Sequence, residues 1–202
     1  MTKRRWFGLV MIVVGLAFIA YPLYMDYTST KEAKALEDAI SLIAMADEGE
    51  EVDLSAIEDL PFSEEDLRNA LELEIPYLDI VHRVLPETNE YNLSIALTEI
   101  KEDQKPGEGN FTIAGHRGYR DGRHFSNLSE VPVGEEIYLH VGEDTYVYEI
   151  ESSEVIPPTA IEVLEDDPNK DELTLITCTI SGNERVAVKA KFIEKKKRSH
   201  KK

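Results

Sequence analysis

The sequence of 202 residues contains a single cysteine, Cys178, and this scarcity sets the first limit on the molecule. One cysteine excludes an internal disulfide, so the fold has to be stabilised by its core. The thiol itself has two interpretations. It is either a buried filler, because a free cysteine behaves as a small hydrophobe, or it is a nucleophile.

Basic residues are also few: 22 lysines and arginines stand against 40 aspartates and glutamates, which gives a formal net charge of −18. A nucleic-acid backbone repels a protein of this charge, so no nucleic-acid partner is expected. The sequence also lacks an internal repeat, and no heptad pattern persists long enough to predict a coiled coil.

One apolar run stands out near the N-terminus. Trp6 to Met25 carries no charge, and three basic residues precede it at positions 3–5. A helix of about 20 such residues spans the hydrocarbon core of a bilayer, whereas a cleaved signal peptide has an apolar region of about 7–15 residues. We therefore expect a cytoplasmic segment at 1–5, a single transmembrane anchor at 6–25 in the cell membrane and, from the position of the basic flank, an extracellular remainder.

Residues 26–73 are predicted to form an acidic, helical stalk. Apolar side chains recur at helical spacing from Lys31 to Ala46, and an N-cap signal at Ser63 predicts a second short helix through Leu73. Such a stalk is either a spacer or packs on the domain that follows it, and the sequence leaves both open.

From Glu74 onward the sequence predicts β-structure. Short alternating runs separated by turn signals such as Pro106-Gly107 favour a sandwich or a closed barrel. Residues 74–194 are assigned to this domain, and residues 195–202 to a disordered basic tail. The predicted strands are Ile75–Val84, Asn92–Ile100, Asn110–His116, Glu136–Val141, Thr145–Ser152, Leu173–Thr177 and Glu184–Ile193.

Three residues are candidates for chemistry. Cys178 ends an apolar, β-branched run, where a strand delivers a side chain to a cleft, and a thiol nucleophile needs a neighbour that favours the thiolate. Of the five histidines, His116 is the candidate, because it closes an apolar run and has a glycine two residues or fewer away on each side. Arg185 follows Cys178 after a short turn. Its planar, always charged guanidinium group presents several donors that can stabilise a developing oxyanion. A strand-end histidine and an exposed, ion-paired arginine are the alternatives.

These residues, taken in order, resemble those of a family. Thr174–Cys178 matches the cysteine motif of the sortases of Gram-positive bacteria, and Ile113–Arg117 matches their histidine motif. The resemblance extends over Glu74 to Ile193. It also includes Phe125, Leu128 and Gly134 after the histidine, Pro106–Asn110 before its strand and Val155–Pro158 before the cysteine strand.

The resemblance implies a mostly β fold, an eight-stranded sortase-type barrel with short helices behind one transmembrane helix. It implies a cysteine transpeptidase that cleaves a Leu-Pro-x-Thr-Gly-like sorting signal on secreted proteins between Thr and Gly. Cys178 would form the thioester, His116 would transfer protons and Arg185 would hold the oxyanion. An amine on a cell-wall precursor such as lipid II would then resolve the thioester. The implied substrate groove includes Ala114, Pro157, Val163, Leu164 and Thr177.

The subclass is most like class A. The sequence lacks an Asp-Pro-aromatic lid segment before the barrel, which speaks against a pilin-joining enzyme. A class D-like or pilin-joining sortase with another signal or acceptor and a non-catalytic anchored binding domain nevertheless stay open as alternatives. No cofactor is expected. Calcium is the alternative, through Glu99, Glu102, Glu108 and Asp167, although Lys101 and Gln104 stand where such sites carry acids.

Overall fold

The computed structural model describes residues 3–45, 62–63, 67–68, 70–118 and 124–198. Its first element is one continuous helix, α1 (Lys3–Met45), so the predicted anchor and the first stalk helix are a single element. The stretch Lys3–Ile43 is long and apolar enough, by length and composition, to cross a membrane. The large apolar side chains from Trp6 to Met25 are exposed, as the predicted contact with lipid requires.

Eight strands form a closed barrel, which confirms the predicted fold class. The strands are β1 (Leu71–Ile75), β2 (Ile80–Leu85), β3 (Leu97–Glu99), β4 (Asn110–Ala114), β5 (Glu136–Val141), β6 (Asp144–Ile156), β7 (Glu172–Cys178) and β8 (Arg185–Lys197). Around the barrel the order is β1-β2-β3-β4-β7-β8-β6-β5, and the neighbouring pairs β2–β3 and β4–β7 are parallel.

Alternation along the strands decides which side chains fill the barrel. Phe111 and Ile113 of β4 lie in the buried core together with Leu173 and Leu175 of β7. Because successive side chains of a strand point to opposite faces, the residues between them lie on the outer face. Cys178 therefore belongs to the outer face of β7, with Thr174 and Ile176.

Two of the predicted strands are wrong in part. The stretch Ile75–Val84 is a hairpin, because Pro76 begins a 3-10 helix (Pro76–Leu78) and Asp79 adopts a left-handed conformation with φ of 52°. The stretch Asn92–Ile100 begins as a helix, α2 (Glu90–Ile95), before β3. Asn89 starts α2 by accepting a 2.8 Å hydrogen bond from the backbone N–H of Asn92.

The barrel extends beyond both predicted boundaries. Leu71–Leu73 belong to β1, so the second stalk helix does not reach Leu73, although Leu67 and Arg68 are helical. At the other end, Lys195–Lys197 continue β8 instead of forming a disordered tail, and Arg198 contacts the carboxylate of Glu72. The predicted stalk segment at 46–61 lies outside the described residues, as do 199–202.

The second half of α1 packs on the barrel, which decides between the two interpretations of the stalk. Leu36, Ala39, Ile40 and Ile43 are buried in a cluster with Leu85 at the end of β2 and with Leu67, Ile95 and Ala96. Beside this cluster, Arg83 of β2 donates two hydrogen bonds of 2.9 Å to the carboxylate of Glu37. The guanidinium lowers the pKa of Glu37. This part of α1 is therefore docked and not a free spacer.

Candidate active site

The candidate residues lie on, or just after, three adjacent strands of the barrel. In the antiparallel pair β7–β8, Cys178 is the register partner of Arg185. In the parallel pair β4–β7, Ala114 is the partner of Ile176, and the N–H of Gly115 donates a 3.0 Å hydrogen bond to the carbonyl of Ile176. His116 comes two residues after Ala114, just as Cys178 comes two residues after Ile176, so both residues lie near the same end of the sheet.

The thiol and the imidazole border two different clefts. Cys178 is half-buried and lines a cleft of about 340 Å³ formed with the β7–β8 turn and the chain after His116. His116 is exposed and lines a larger cleft on the side of α1, and Gly118 borders both clefts. A thiol and a histidine are the residue types of a nucleophile–base pair, and in this structure each borders a cleft of its own.

Close packing next to His116 leaves no room for a side chain at Gly115. A Cβ atom at this position would lie 2.5 Å from Cδ2 of Leu97 and 2.6 Å from Cδ2 of Phe125. Both neighbours are fully buried in the core, so they have little room to move. Without a side chain at position 115, the backbone after β4 can lie in close contact with Phe125. The N–H of Phe125 donates a 3.1 Å hydrogen bond to the carbonyl of His116.

The guanidinium of Arg185 is held at the β7–β8 turn. Its Nη1 donates to the carbonyl oxygens of Gly182 (3.2 Å) and Glu184 (3.1 Å). These bonds use one nitrogen of the guanidinium group, which carries five N–H donors in all. Arg185 is half-buried, and because register partners project to the same face, the cation and the sulfur of Cys178 lie on one side of the sheet.

An apolar strip leads away from Cys178 on the outer face. Ala114, Ile176 and Ala187 are neighbours across β4, β7 and β8. Sequence reasoning identified Ala114 and missed Ile176 and Ala187, which counting two residues back from Cys178 and across to β8 would have found. Thr177 lies on the opposite, inner face, 2% exposed, and its hydroxyl has no hydrogen-bond partner among the described residues.

The loop between β6 and β7 is pinned to the start of β4 by a residue that the sequence did not single out. Buried Asn110 donates through Nδ2 to the carbonyl oxygens of Val163 (3.0 Å) and Glu165 (3.1 Å) and accepts a 2.7 Å bond from the hydroxyl of Thr174. The N–H of Asn110 donates to Asp166 at 2.8 Å. An asparagine at the start of a strand carries no sequence signal for such a role.

The three groove residues predicted in this loop differ in their exposure to solvent. Val163 and Leu164 are half-buried in a 3-10 helix (Ile161–Leu164), and Pro157 is exposed just after β6. Among the described residues that border the cleft at Cys178, none comes from this loop. The loop therefore lies over the outer face at Asn110, further along the sheet from the thiol.

The four calcium candidates do not form a metal cluster within the described residues. Burial raises the pKa of Glu99 to about 7, and its carboxylate accepts a 3.1 Å bond from Gln104. Asp167 accepts bonds from Asn169, while Glu102 and Glu108 are exposed. An ammonium group lies in this region: Nζ of Lys101 is 2.7 Å from Asp166.

Two other histidines have local structural partners. The ring of His140 contacts the hydroxyl of Thr145 at 2.8 Å and the carboxylate of Glu74 at 3.1 Å. Burial lowers the pKa of His82, whose ring lies 5.7 Å from that of His124. His116 follows β4, the strand that pairs with β7, and its proposed role stays a prediction.

Comparison with known proteins gives one consistent result. The family profile described as the Sortase domain matches residues 73–193. The chain is 33% identical to Sortase A of Bacillus anthracis over 189 residues, which cover 88% of this chain and 89% of that protein. Among solved structures, Clostridium perfringens Sortase D5 is 27% identical with a TM-score of 0.62, covering 81% of this chain and 99% of that one. Listeria monocytogenes sortase A is also 27% identical, with a TM-score of 0.61 and coverages of 65% and 92%.

A half-buried thiol paired in register with an arginine in a closed barrel, with a histidine just after the neighbouring strand, is the set of residue types found in cysteine enzymes of the acyl-transfer class. The family match and the relatives make the assignment specific. This chain belongs to the sortase family, and it is a cysteine transpeptidase.

Proposed function

We propose that this sortase cleaves a Leu-Pro-x-Thr-Gly-like sorting signal between Thr and Gly. It would then join the secreted protein carrying that signal to an amine of a cell-wall precursor such as lipid II. The observation that carries the proposal is the register of three neighbouring strands, with Cys178 opposite Arg185 and two residues beyond Ile176. This arrangement supports roles for His116, Cys178 and Arg185 in one reaction.

In the first step, the sulfur of Cys178 attacks the threonine carbonyl carbon of the signal. Arg185 donates to the oxygen that gains negative charge, and its bonds to the β7–β8 turn support its position at the site. His116 gives a proton to the glycine amine as the C–N bond breaks, which leaves a thioester on Cys178. In the second step, the acceptor amine attacks the thioester and loses its proton to His116.

The signal's leucine and proline would bind along the outer face of the sheet. Its apolar strip, Ala114, Ile176 and Ala187, begins two residues from Cys178. The loop with Val163 and Leu164 would form one wall, held by Asn110, and Pro157 would border the same groove.

The proposed location rests on α1. The exposed apolar run of this helix supports a single-pass anchor in the cell membrane, and the basic residues before it support a cytoplasmic N-terminus with an extracellular barrel. The partners would then be secreted proteins and membrane-linked precursors. No cofactor is needed for this chemistry.

A class D-like or pilin-joining enzyme with another signal or acceptor is the second candidate. The observation that favours it is the match to Clostridium perfringens Sortase D5, which this chain covers almost completely. A comparison of glycine, diaminopimelate and lysine amines as acceptors, at equal concentration, separates these possibilities. The class A proposal requires that a cell-wall amine be used in preference to a pilin lysine.

The direct test uses the full chain in phospholipid nanodiscs and a fluorogenic Leu-Pro-Glu-Thr-Gly peptide. We expect Cys178→Ala and His116→Ala to abolish cleavage and Arg185→Ala to lower kcat by about 10²-fold, the scale of a lost oxyanion donor. Lys191→Ala is the matched control, because it removes another cation from the outer face of β8. Turnover at the normal rate in Cys178→Ala would contradict the mechanism.

A further inference from the structure

The inner face of β2 carries a histidine among apolar residues. His82 is the register partner of Leu73 of β1, and opposed residues of an antiparallel pair project to the same face. Leu73 is buried in the core, as are Ile80 and Val84, which lie two residues before and after His82. A polar ring at such a position loses contact with water, so it needs a partner inside the protein.

The partner of His82 is the backbone of His124. Burial lowers the pKa of His82, and a hydrogen bond with the backbone of His124 opposes this shift. A contact that favours the protonated ring goes to an acceptor, so the ring donates to the carbonyl oxygen of His124. Nε2 of His82 is buried and has no hydrogen-bond partner among the described residues, which leaves Nδ1 as the donor. A neutral imidazole has one N–H, and this bond uses it.

The backbone of His124 has a conformation that its neighbours have to impose. Its φ is 47°, in the left-handed region that residues other than glycine seldom adopt. Such a conformation persists where the surrounding contacts fix it, and active sites are the places where it is most common. His124 is buried, and the centres of its ring and that of His82 are 5.7 Å apart. His82 therefore contacts both the backbone and the ring of His124.

The backbone of His124 is tied to that of His116. His124 pairs with Arg117 in an antiparallel bridge, and the N–H of Phe125 donates to the carbonyl of His116 at 3.1 Å. The side chain of His116 is exposed, so the backbone on this side contributes to where its ring lies. A displacement of His124 would therefore be passed on to His116.

We propose that His82 is a positioning residue for the general base His116. The inference rests on the proposed transpeptidation and adds a residue from β2, a strand that is not a neighbour of β7. By holding the carbonyl of His124, His82 fixes the return of the chain to His116 and so the place from which the imidazole exchanges protons. His82 is not among the described residues that border the thiol cleft or the cleft beside α1, so its effect is on kcat and not on KM.

The test compares two substitutions of His82, made in the full chain in nanodiscs and assayed with the Leu-Pro-Glu-Thr-Gly peptide. His82→Leu keeps an apolar filling and removes the donor. His82→Asn removes the ring and keeps an N–H donor near the place of Nδ1. His140→Leu is the matched control, because it removes another hydrogen-bonded histidine of the barrel from β5, which neighbours neither β4 nor β7.

We expect His82→Leu to lower kcat about tenfold, the effect of one lost hydrogen bond, with the KM for the peptide within about twofold of the wild-type value. His82→Asn should recover most of this loss. His140→Leu should lower stability and leave kcat unchanged, once the folded fraction has been measured by chemical denaturation.

A second readout does not depend on turnover. The chain has five histidines, so NMR of protein labelled at histidine gives few ring signals to assign. The ring signals of His116 should move in His82→Leu and return toward their wild-type positions in His82→Asn. They should stay in place in His140→Leu.

Several outcomes would overturn the inference. An unchanged kcat in His82→Leu removes the positioning role, and equal losses in His82→Leu and His82→Asn would assign the effect to ring packing instead of the hydrogen bond. A rise of KM alone would assign the segment to signal binding. If the wild type cleaves no peptide, the proposed function itself fails. The NMR comparison then decides the role of His82, and unmoved His116 signals in His82→Leu contradict it.

Discussion

Cys178, the last residue of β7, lies directly opposite Arg185, the first residue of β8. Opposed residues of an antiparallel pair project their side chains to the same face, with Cβ atoms about 5 Å apart. The two bonds of Arg185 to the turn carbonyls hold the cation at the end of the sheet where the thiol is. Strand pairing, and not the seven-residue interval in sequence, brings the two groups together.

The first prediction concerns Gly115, which precedes His116. In Gly115→Ala the new methyl group would overlap Leu97 and Phe125, so the chain that carries His116 has to shift. Because overpacking costs about 1–3 kcal/mol, the free energy of unfolding should fall by that amount. We expect kcat for peptide cleavage to fall by more than the loss of folded protein explains, measured by chemical denaturation together with steady-state kinetics.

Gly134→Ala is the control for Gly115→Ala. Gly134 has a φ of 92°, and a Cβ atom added there would have no neighbour within 4 Å, so the substitution strains the backbone without filling space. It should destabilise the protein and leave kcat intact. Full activity in Gly115→Ala would show that the histidine does not depend on this close packing.

The second prediction concerns the loop between β6 and β7, which Asn110 holds by hydrogen bonds. Asn110→Asp replaces two N–H donors with an acceptor that faces the carbonyl oxygens of Val163 and Glu165. Unsatisfied buried groups cost about 1–3 kcal/mol each, so we expect the loop to detach from β4. The KM for the signal peptide should rise more than kcat falls, measured with peptide titrations.

Asn169→Asp makes the same chemical change at an exposed site of the same loop. It should change neither constant. A signal-peptide KM in Asn110→Asp equal to that of the wild type would mean that the loop does not contribute to binding.

The third prediction is a pH dependence of stability from Glu99. Burial raises its folded-state pKa to about 7 from the ordinary glutamate value of 4.5. The folded state therefore keeps a proton that the unfolded chain loses first. This contribution is fully present below pH 4.5 and disappears as the pH rises through about 7, so the free energy of unfolding should decrease across that window.

Glu99→Gln should flatten this dependence, by about 1 kcal/mol between pH 5 and 8 after allowance for the partial exposure of the carboxyl. Denaturant titrations at a series of pH values measure it, with exposed Glu102→Gln as the control. If the two variants and the wild type show parallel pH profiles, Glu99 titrates normally.

The fourth prediction tests the docking of α1. Leu36 is 2% exposed in the cluster with Leu85 and Ile95. Leu36→Ala should destabilise the protein by about 2–5 kcal/mol, the range for truncation of a buried leucine. Leu42→Ala, on the exposed side of the same helix, should have little effect on the denaturation midpoint. Equal midpoints for the two variants would mean that α1 is a spacer after all.

The sequence predicts most of the barrel, because period-two alternation is strong in β4, β5, β7 and β8. It does not predict the break at Pro76–Leu78, where a proline and a left-handed aspartate interrupt an otherwise continuous apolar run. The docking of α1 was undecidable for a physical reason: an apolar stripe at helical spacing fits a partner helix, a barrel or a lipid surface equally well.

The sequence predicts those parts of the candidate site that depend on residue type. It does not predict the parts that depend on how the strands align with one another. A lone cysteine after an apolar run and a histidine between glycines are visible in the sequence. The neighbours Ile176 and Ala187 depend on how β8 aligns with β7, and the role of Asn110 depends on a loop more than fifty residues away. Long-range pairings of this kind leave no local pattern.

The central claim is that Cys178 carries the acyl group of the cleaved signal. The most direct measurement is intact-mass analysis of the acid-quenched full chain after mixing with a Leu-Pro-Glu-Thr-Gly peptide, followed by fragment mapping. We predict an adduct with the mass of the peptide up to threonine, located on Cys178 and released by hydroxylamine. Cleavage at the normal rate with no adduct, or with an adduct on another residue, would contradict the account.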